Sequence, residues 1–215
     1  MTRVCIFPIP SCVTFPGTEF PLHVFEPRYR DMIHHCIDSE MPIAICHTKK
    51  LVSAGKSTNT VKEALSTNQA TYRTFDVVSA GLCQLHETTA DGRMYLSVHI
   101  DQRYRLIKEV QLLPYQVFEC TPFIDTSPSD DERSDNNILR DKILHRLKAI
   151  AIDDDVLQEI IESEDWMEMS AEAFSFQIFG SIRFDDDIQQ NIIELDSANK
   201  RLNLLLQLLQ LLNSN

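Results

Sequence analysis

The chain of 215 residues is 43% hydrophobic and 24% charged, with a formal net charge of −12. This composition excludes wholesale disorder, and no uninterrupted apolar run approaches the roughly 20 residues that a membrane-spanning helix needs. Residues 1–125 carry 12 Lys and Arg against 13 Asp and Glu, and residues 126–215 carry 8 against 19, so neither part has the basic excess that nucleic-acid binding requires.

At the N-terminus, Pro8 and Pro10 interrupt a short apolar stretch, which argues against a secretory signal peptide. Six cysteines fall within the first 120 residues and form no CxxC pair, so we expect reduced, largely buried thiols in a cytoplasmic protein. The Cys and His residues within 34–47 are candidate zinc ligands, but their spacing matches no tetrahedral ligand pattern. We therefore predict no metal site.

The stretch FPLHVFEPRYRDM, residues 20–32, begins with the pattern of a strand. Phe20, Leu22 and Val24 alternate with His23, which is the period-two pattern of a strand with one apolar face. Pro21 removes one backbone donor from this strand. We therefore expect the strand to lie at a sheet edge or to be broken near its start.

A helix is predicted directly after this strand. Pro27 suits the first helical position, because the N–H that proline lacks is not needed there. Glu26 then lies at the helix N-terminus, where a carboxylate interacts favourably with the unpaired backbone donors and the helix dipole. The apolar residues that follow at helical spacing are Tyr29, Met32, Ile33 and Cys36.

Two arginines in the first turn of this helix, Arg28 and Arg30, oppose the helix dipole and need acceptors elsewhere. Carboxylates or strand-end carbonyls are the expected acceptors. We predict that this pair fixes the strand to the helix and carries no chemistry. If Arg28 is buried and paired, its removal should cost about 3 to 5 kcal/mol.

The rest of the first 125 residues is rich in predicted strands. Asp91-Gly92 is a strong hairpin signal, and it precedes the clearest alternating segment, RMYLSVHI. Many short strands with one interposed helix predict a mostly antiparallel, barrel-like sheet. The predicted strands cover residues 3–7, 18–25, 42–46, 71–78, 81–87, 93–100, 103–110 and 115–124.

A polar segment, residues 48–70, interrupts these strands and is predicted to be a long surface loop with one helical turn around residues 61–65. Within it, GKS at 55–57 is typical of the end of a phosphate-binding loop. The glycine that such a loop requires five positions before Gly55 is Lys50 in this chain, so we predict no nucleotide site.

The acidic stretch at 126–137 is predicted to be a linker between a β domain, 1–125, and a helical domain, 138–215. After it the apolar period becomes helical, and the last helix is predicted to begin at residues 185–187 and to continue with heptad spacing. Its leucine-rich end must be covered. Two alternatives remain at this point: an intramolecular core, or self-association into a homodimer.

Catalytic motifs are missing from the sequence. It contains no GxSxG, no HExxH and no zinc-spaced Cys and His set, and no nucleophile stands out beside an activating base. The aspartates at 153–155 are better explained as a solvated turn and helix cap than as a metal site. We predict no catalytic residues and no cofactor.

Several stretches resemble one known family. FPIPSCVTFPGTEFPLHVFEPRYRDMI is similar to the opening strands and helix of the N-terminal, substrate-binding domain of Lon proteases, and of bacterial proteins that consist of that domain alone. ADGRMYLSVHIDQRYRLI and LLPYQVFEC resemble the later hairpin and strand of this family. FDDDIQQNIIELDSANKRLNLLLQLL resembles its long C-terminal helix, so the likeness covers nearly the whole chain.

The resemblance implies an α+β fold, in which a PUA-like, mostly antiparallel β-barrel with one short helix precedes an α-helical bundle. It also implies a non-catalytic module that binds unfolded or partly folded polypeptide, with a protease or chaperone as a further partner. Arg28, Arg103, Tyr104 and Arg105 are the candidate contacts for such a segment. The alternatives are a small-ligand-binding regulator that uses a barrel pocket, and a homodimerising scaffold.

Overall fold

The computed structural model describes residues 2–53, 71–151 and 155–212. The predicted helical turn at 61–65 and the GKS segment at 55–57 lie outside these residues. The β elements of the described residues, with the helix between them, are β1 (Thr2–Pro8), β2 (Thr18–Val24), α1 (Pro27–Ser39), β3 (Ile43–Cys46), β4 (Thr48–Ser53), β5 (Thr71–Thr74), β6 (Val77–Thr88), β7 (Met94–Gln111) and β8 (Val117–Pro122). The later helices are α2 (Asp130–Ile150), α3 (Asp155–Glu162), α4 (Glu164–Glu168), α5 (Ala171–Ser181), α6 (Asp186–Glu194) and α7 (Ala198–Leu212).

The main sheet has six strands in the order β2-β7-β6-β3-β1-β8, and β7 also pairs with β8. The last five of these strands therefore form a closed ring, while β2 stands outside it. All the pairings in this sheet are antiparallel except that of β1 with β3. The 18-residue β7 is long enough to pair with β2 along its first part and with β8 along its second. The predicted α+β class, with a β-sheet domain followed by helices, is confirmed.

Two apolar cores lie on opposite faces of β1. Cys5 points into a core that includes α1, while Val4 and Ile6 point into a second core. All three side chains are fully buried, as expected for a strand with both faces covered. The first core fixes the position of α1 against the sheet through Met32 and Ile33, which are also fully buried.

The predicted loop at 48–70 is wrong for its first residues. Residues Thr48–Ser53 form β4, which pairs antiparallel with β5 in a separate two-stranded sheet. Its first strand has the sequence TKKLVS, which lacks the alternation of apolar and polar residues by which strands are recognised, and the pairing carries irregularities in register. The predicted strand 71–78 is likewise divided into β5 and β6, with Phe75 and Asp76 between them.

The chain forms two compact units, Met1–Phe123 with Asp185–Ile193, and Ile124–Phe184 with Glu194–Asn215. The segment Asp185–Ile193 therefore belongs to the unit that contains the sheet. α2 begins at Asp130, so most of the predicted linker 126–137 is helical. Ser129 caps this helix by accepting a bond from the Glu132 N–H at 3.2 Å, and the acidic residues that indicated a linker occupy the first turn, where they favour the dipole.

The single C-terminal helix predicted from residue 185 is wrong, because α6 ends at Glu194 and α7 begins at Ala198. Ser197 Oγ accepts a bond from the Lys200 N–H at 3.3 Å, which starts a new helix. Three leucines of α7 are at most 1% exposed, as the intramolecular alternative requires for them: Leu202, Leu205 and Leu209. No helix among the described residues is both long and apolar enough to cross a membrane.

The second unit is organised around a buried arginine. Arg201 of α7 is 0% exposed and donates to Ser175 Oγ at 2.9 Å and to Asp125 Oδ1 at 2.8 Å. Its guanidinium lies 3.8 Å from the ring centroid of Phe176. This cation therefore joins α5, α7 and the segment before α2 in one network.

Candidate functional site

An apolar groove of about 400 Å³ lies beside the edge strand β2 in the first unit. The end of β1 and the residues after it form one wall, β2 forms another, and the start of α1 closes the groove. Its lining residues are Phe7, Pro8, Ile9, Pro10, Phe20, Pro21, Leu22, His23, Phe25, Glu26, Arg28 and Tyr29.

The start of α1 follows the sequence prediction. Pro27 is the first helical residue, and the preceding Glu26 has extended backbone angles, φ −67° and ψ 133°. The carbonyl of Glu26 accepts bonds from the N–H groups of Tyr29, at 3.1 Å, and Arg30, at 3.0 Å. The Glu26 side chain, however, makes no bond to the first-turn N–H groups, so its predicted capping of them is wrong.

The Glu26 carboxylate instead accepts from Arg28. Arg28 Nε and Nη2 each lie 3.1 Å from Glu26 Oε2, and both residues are buried. The guanidinium also stands over the Tyr29 ring, with 4.6 Å between Cζ and the ring centroid. The prediction that Arg28 is buried and paired with oxygen is therefore confirmed, and its partner lies two residues before it.

Arg30 connects α1 to a hairpin. Its Nη1 donates to the carbonyl of Gly92 at 3.2 Å, in the turn between β6 and β7. Gly92 has φ +84°, and a Cβ there would lie 2.3 Å from Arg30 Nη1. Arg30 therefore fastens the helix to the β6–β7 turn, whereas Arg28 pairs with Glu26 in the short connection between β2 and the helix.

Strand β2 lies at the end of the sheet order, as Pro21 predicts. Its register with β7 pairs Leu22 with Leu96 and His23 with Tyr95. Leu22 is buried, and His23 is exposed and stacks on Tyr95 with 4.5 Å between ring centroids. Among the described residues no strand pairs with the other side of β2, so that side presents backbone groups to an incoming strand.

Aromatic rings supply much of the apolar wall of the groove. The rings of Phe7 and Tyr29 lie 4.4 Å apart between centroids and are tilted by 33°. Phe7, Phe20 and Phe25 are half-buried, so part of each ring is open to a ligand. Ile9 is held beside them because its N–H donates to the carbonyl of Cys46 at 3.0 Å.

The three other candidate residues lie further along β7, at the residues that pair with β6 and β8. Arg103 is 3% exposed and its Nη1 donates to the Ile193 carbonyl of α6 at 2.8 Å. Its guanidinium and that of the exposed Arg105 each lie 4.6 Å from the Phe123 ring centroid. Of the four predicted contacts, only Arg28 lines the groove.

Tyr104 of β7 is half-buried and packs against the second core. Its burial raises the pKa of its hydroxyl, and the nearby Asp101 carboxylate raises it further. The side chain is therefore a neutral, packed residue at physiological pH. The sequence did not show which residues of Arg103-Tyr104-Arg105 are buried. In a strand, Arg103 and Arg105 share one face and Tyr104 lies on the other, and two arginines on one face give no sign that one of them is buried.

A second cavity, of about 490 Å³, lies near the ends of β7 and β8 and is the candidate site of the small-ligand alternative. Its wall combines the apolar side chains of Phe75, Leu106 and Phe118 with the charged Arg73 and Asp76. The Asp76 carboxylate is paired with Lys49 at 3.1 Å. This cavity is separate from the groove, with which it shares no lining residue.

Sequence reasoning missed the wall formed by residues 7–10. The signal was the sequence FPIP, in which Pro8 and Pro10 alternate with apolar residues. Proline has no N–H to bond in a ladder and fixes an extended backbone, so such a segment ends a strand and leaves its side chains on the surface.

A comparison with protein families and a comparison with solved structures both lead to the N-terminal domains of Lon proteases. A family model described as the ATP-dependent protease La (LON) substrate-binding domain matches residues 3–211. The N-terminal domain of a Lon protease from the Mycobacterium avium complex is similar in structure, with a TM-score of 0.68 at 12% identity, over 97% of this chain and 98% of that one. A Lon N-terminal domain protein from Xanthomonas campestris gives a TM-score of 0.59 at 18% identity, over 96% and 98%. No curated protein matched this chain.

Proposed function

The chain belongs to the LON substrate-binding domain family, and we propose that it binds unfolded or partly folded polypeptide segments without cleaving them. The proposed role is that of an adaptor or regulator in cytoplasmic protein quality control, with a protease or chaperone as a further partner. The observation that carries the proposal is the apolar groove beside the unpaired side of β2.

The proposed binding mode is the addition of a strand. An extended segment pairs its backbone with the open side of β2, and every second side chain then points the same way. One of these side chains enters the groove between Phe7, Phe20 and Tyr29. Backbone pairing supplies affinity that does not depend on sequence, while the aromatic wall selects large apolar side chains.

The Arg28–Glu26 pair has a positioning role in this proposal. The Arg28 guanidinium stands over the Tyr29 ring and is held there by the Glu26 carboxylate. The pair therefore fixes the position of this ring in the wall of the groove. Arg103 holds the Ile193 carbonyl and is not proposed as a contact for polypeptide.

The proposal is tested with fluorescein-labelled, reduced and carboxymethylated casein, titrated with the full chain with and without ATP. We expect saturable binding that ATP does not change and no casein fragments on a gel. Phe20→Ser removes an apolar wall of the groove and should weaken binding about tenfold, which corresponds to about 1.4 kcal/mol.

Leu82→Ser is the matched control, because Leu82 is a 50% exposed apolar residue of β6 that does not line the groove. Its affinity for casein should equal that of the unsubstituted chain. Equal losses in the two variants, or casein cleavage by the purified chain that survives further purification, would refute the proposal.

A further inference from the structure

The helical unit contains a separate groove of about 400 Å³ whose wall is acidic. Residues from α3, α4 and α5 line it: Glu159, Ile160, Ser163, Asp165, Trp166, Met169 and Gln177. All of them belong to the second unit, so this groove is distinct from the one beside β2. We propose that it docks a basic amphipathic segment of a partner protein, with an apolar side chain on Trp166 and flanking Lys or Arg side chains on Glu159 and Asp165.

The apolar floor of this acidic groove is rigid. Trp166 is 8% exposed and its ring meets that of Phe174 edge-on, with 5.5 Å between centroids and 87° between planes. Phe174 is fully buried, so the indole is held from below by the core. Ile160 and Met169 are half-buried beside it. A large apolar side chain that enters here contacts surface already fixed in place, which reduces the entropy cost of docking.

The wall carries charge that is available to a partner. Glu159 and Asp165 are both exposed, and within the described part of the unit neither forms an ion pair. Ser163 Oγ is already engaged, since it donates to the Ile160 carbonyl at 2.8 Å. The negative charge of the wall is therefore offered to solvent above an apolar floor.

Residues 159–172 around the acidic groove contain six Asp and Glu residues and no Lys or Arg, so this stretch is strongly acidic. Two cations of α2 reach this stretch: Lys148 pairs with Glu162 at 3.5 Å, and Arg140 donates from Nη1 to the Met169 carbonyl at 2.7 Å. Arg140 also pairs with Asp141 at 3.0 Å, so a carboxylate balances each of these cations, and the charges of Glu159 and Asp165 remain. Such a surface repels phosphate and attracts cationic side chains. The acidic side chains of this stretch are Glu159, Glu162, Glu164, Asp165, Glu168 and Glu172.

Trp166 is the one tryptophan of the chain, so tryptophan fluorescence reports on ligand binding in this groove. The probe is a helical peptide of about 15 residues that repeats Lys-Leu-Leu-Lys, and the control peptide replaces each Lys by Glu. We expect the Lys peptide to change Trp166 fluorescence saturably and the Glu peptide to leave it unchanged. Affinity should fall as salt rises from about 50 mM to about 500 mM, because the contacts lie at an exposed rim.

Charge reversal then localises the site. The double variant Glu159→Lys with Asp165→Lys should lose at least about tenfold in affinity. Glu159→Gln with Asp165→Asn should lose less, and it preserves side-chain shape if the reversal disturbs folding. The matched control is Asp38→Lys with Glu87→Lys, two exposed carboxylates of the first unit whose reversal changes the net charge by the same amount.

The control variant should retain the affinity and the fluorescence change of the unsubstituted chain. Equal losses in the test and control variants would show that binding follows net charge alone, and would overturn the proposal. The absence of a Trp166 signal with the Lys peptide would overturn it too. Neither result bears on casein binding beside β2, which uses other residues.

Discussion

Arg28 and Glu26 form a buried ion pair in which two guanidinium nitrogens, Nε and Nη2, each lie 3.1 Å from the same carboxylate oxygen. The two residues are separated by Pro27 alone, so the pair spans the junction between strand and helix. A buried charge without its partner is costly. The junction therefore depends on both residues being present, and the aromatic wall of the groove depends on the junction.

Substituting Arg28→Ala should destabilise the first unit by about 3 to 5 kcal/mol, because the buried Glu26 carboxylate loses the guanidinium that faces it. Urea unfolding followed by far-ultraviolet circular dichroism measures this. The double variant Arg28→Met with Glu26→Leu removes both charges and should recover most of the loss. A cost below about 1 kcal/mol for Arg28→Ala would contradict the burial of the pair.

Gly92→Ala should destabilise the chain by about 1 to 2 kcal/mol, because φ +84° is unfavourable for an L-residue and the new Cβ would meet Arg30 Nη1. Gly180→Ala is the matched control. Gly180 lies in α5 with nothing within 4 Å of an added Cβ, so alanine there should stabilise by about 0.5 to 1 kcal/mol. Effects of the same sign in the two variants would show that one of these backbone assignments is wrong.

Arg201→Ala should destabilise the helical unit by about 3 kcal/mol, since Asp125 and Ser175 lose their shared donor. Trp166 fluorescence during urea unfolding reports on this unit directly. Lys200→Ala is the neighbouring control: its bridge to Asp196 is exposed at both ends, so the change should stay within about 0.5 kcal/mol. Comparable losses for the two variants would contradict a network centred on Arg201.

The four buried cysteines, Cys5, Cys36, Cys46 and Cys120, should react slowly with a thiol reagent in the folded chain, whereas the half-buried Cys12 and Cys83 should react faster. Burial raises the pKa of the Cys120 thiol from 9.0 to about 11, and burial also raises the pKa of Cys46. Between pH 9 and 11 the unfolded chain loses the Cys120 proton while the folded chain keeps it, so the free energy of unfolding should fall as pH rises through this window. Labelling with Ellman's reagent and unfolding at each pH measure both effects, with Cys120→Ala as the control that removes the Cys120 contribution. Labelling of all six thiols in the folded chain as fast as in the unfolded one would refute the burial of these four.

The strand and helix of the opening motif were predictable because their determinants are local. Pro21 places β2 at an edge, and Pro27 with the spacing of Met32 and Ile33 places α1 and its buried face. For Arg28, the sequence predicted only the kind of group that accepts from it, a carboxylate or a strand-end carbonyl. Its identity depended on the Glu26 rotamer, which no sequence pattern specifies.

The remaining features depend on contacts that are distant in sequence. Arg201 sits beside Leu202 in an apolar helix, and its partner Asp125 is 76 positions away. Arg103 was expected to contact a bound segment, but its guanidinium donates to the Ile193 carbonyl, 90 positions away. A charged residue in a strand or helix predicts exposure unless its partner is known, so neither burial was evident from the sequence.

The most direct test of the central claim is amide hydrogen exchange of the full chain with and without unfolded casein. If a bound segment adds to the open side of β2, the amides of Thr18–Val24 should exchange more slowly when casein is present, while those of β8 should not change. Unchanged exchange across Thr18–Val24 at saturating casein would contradict strand addition at this edge.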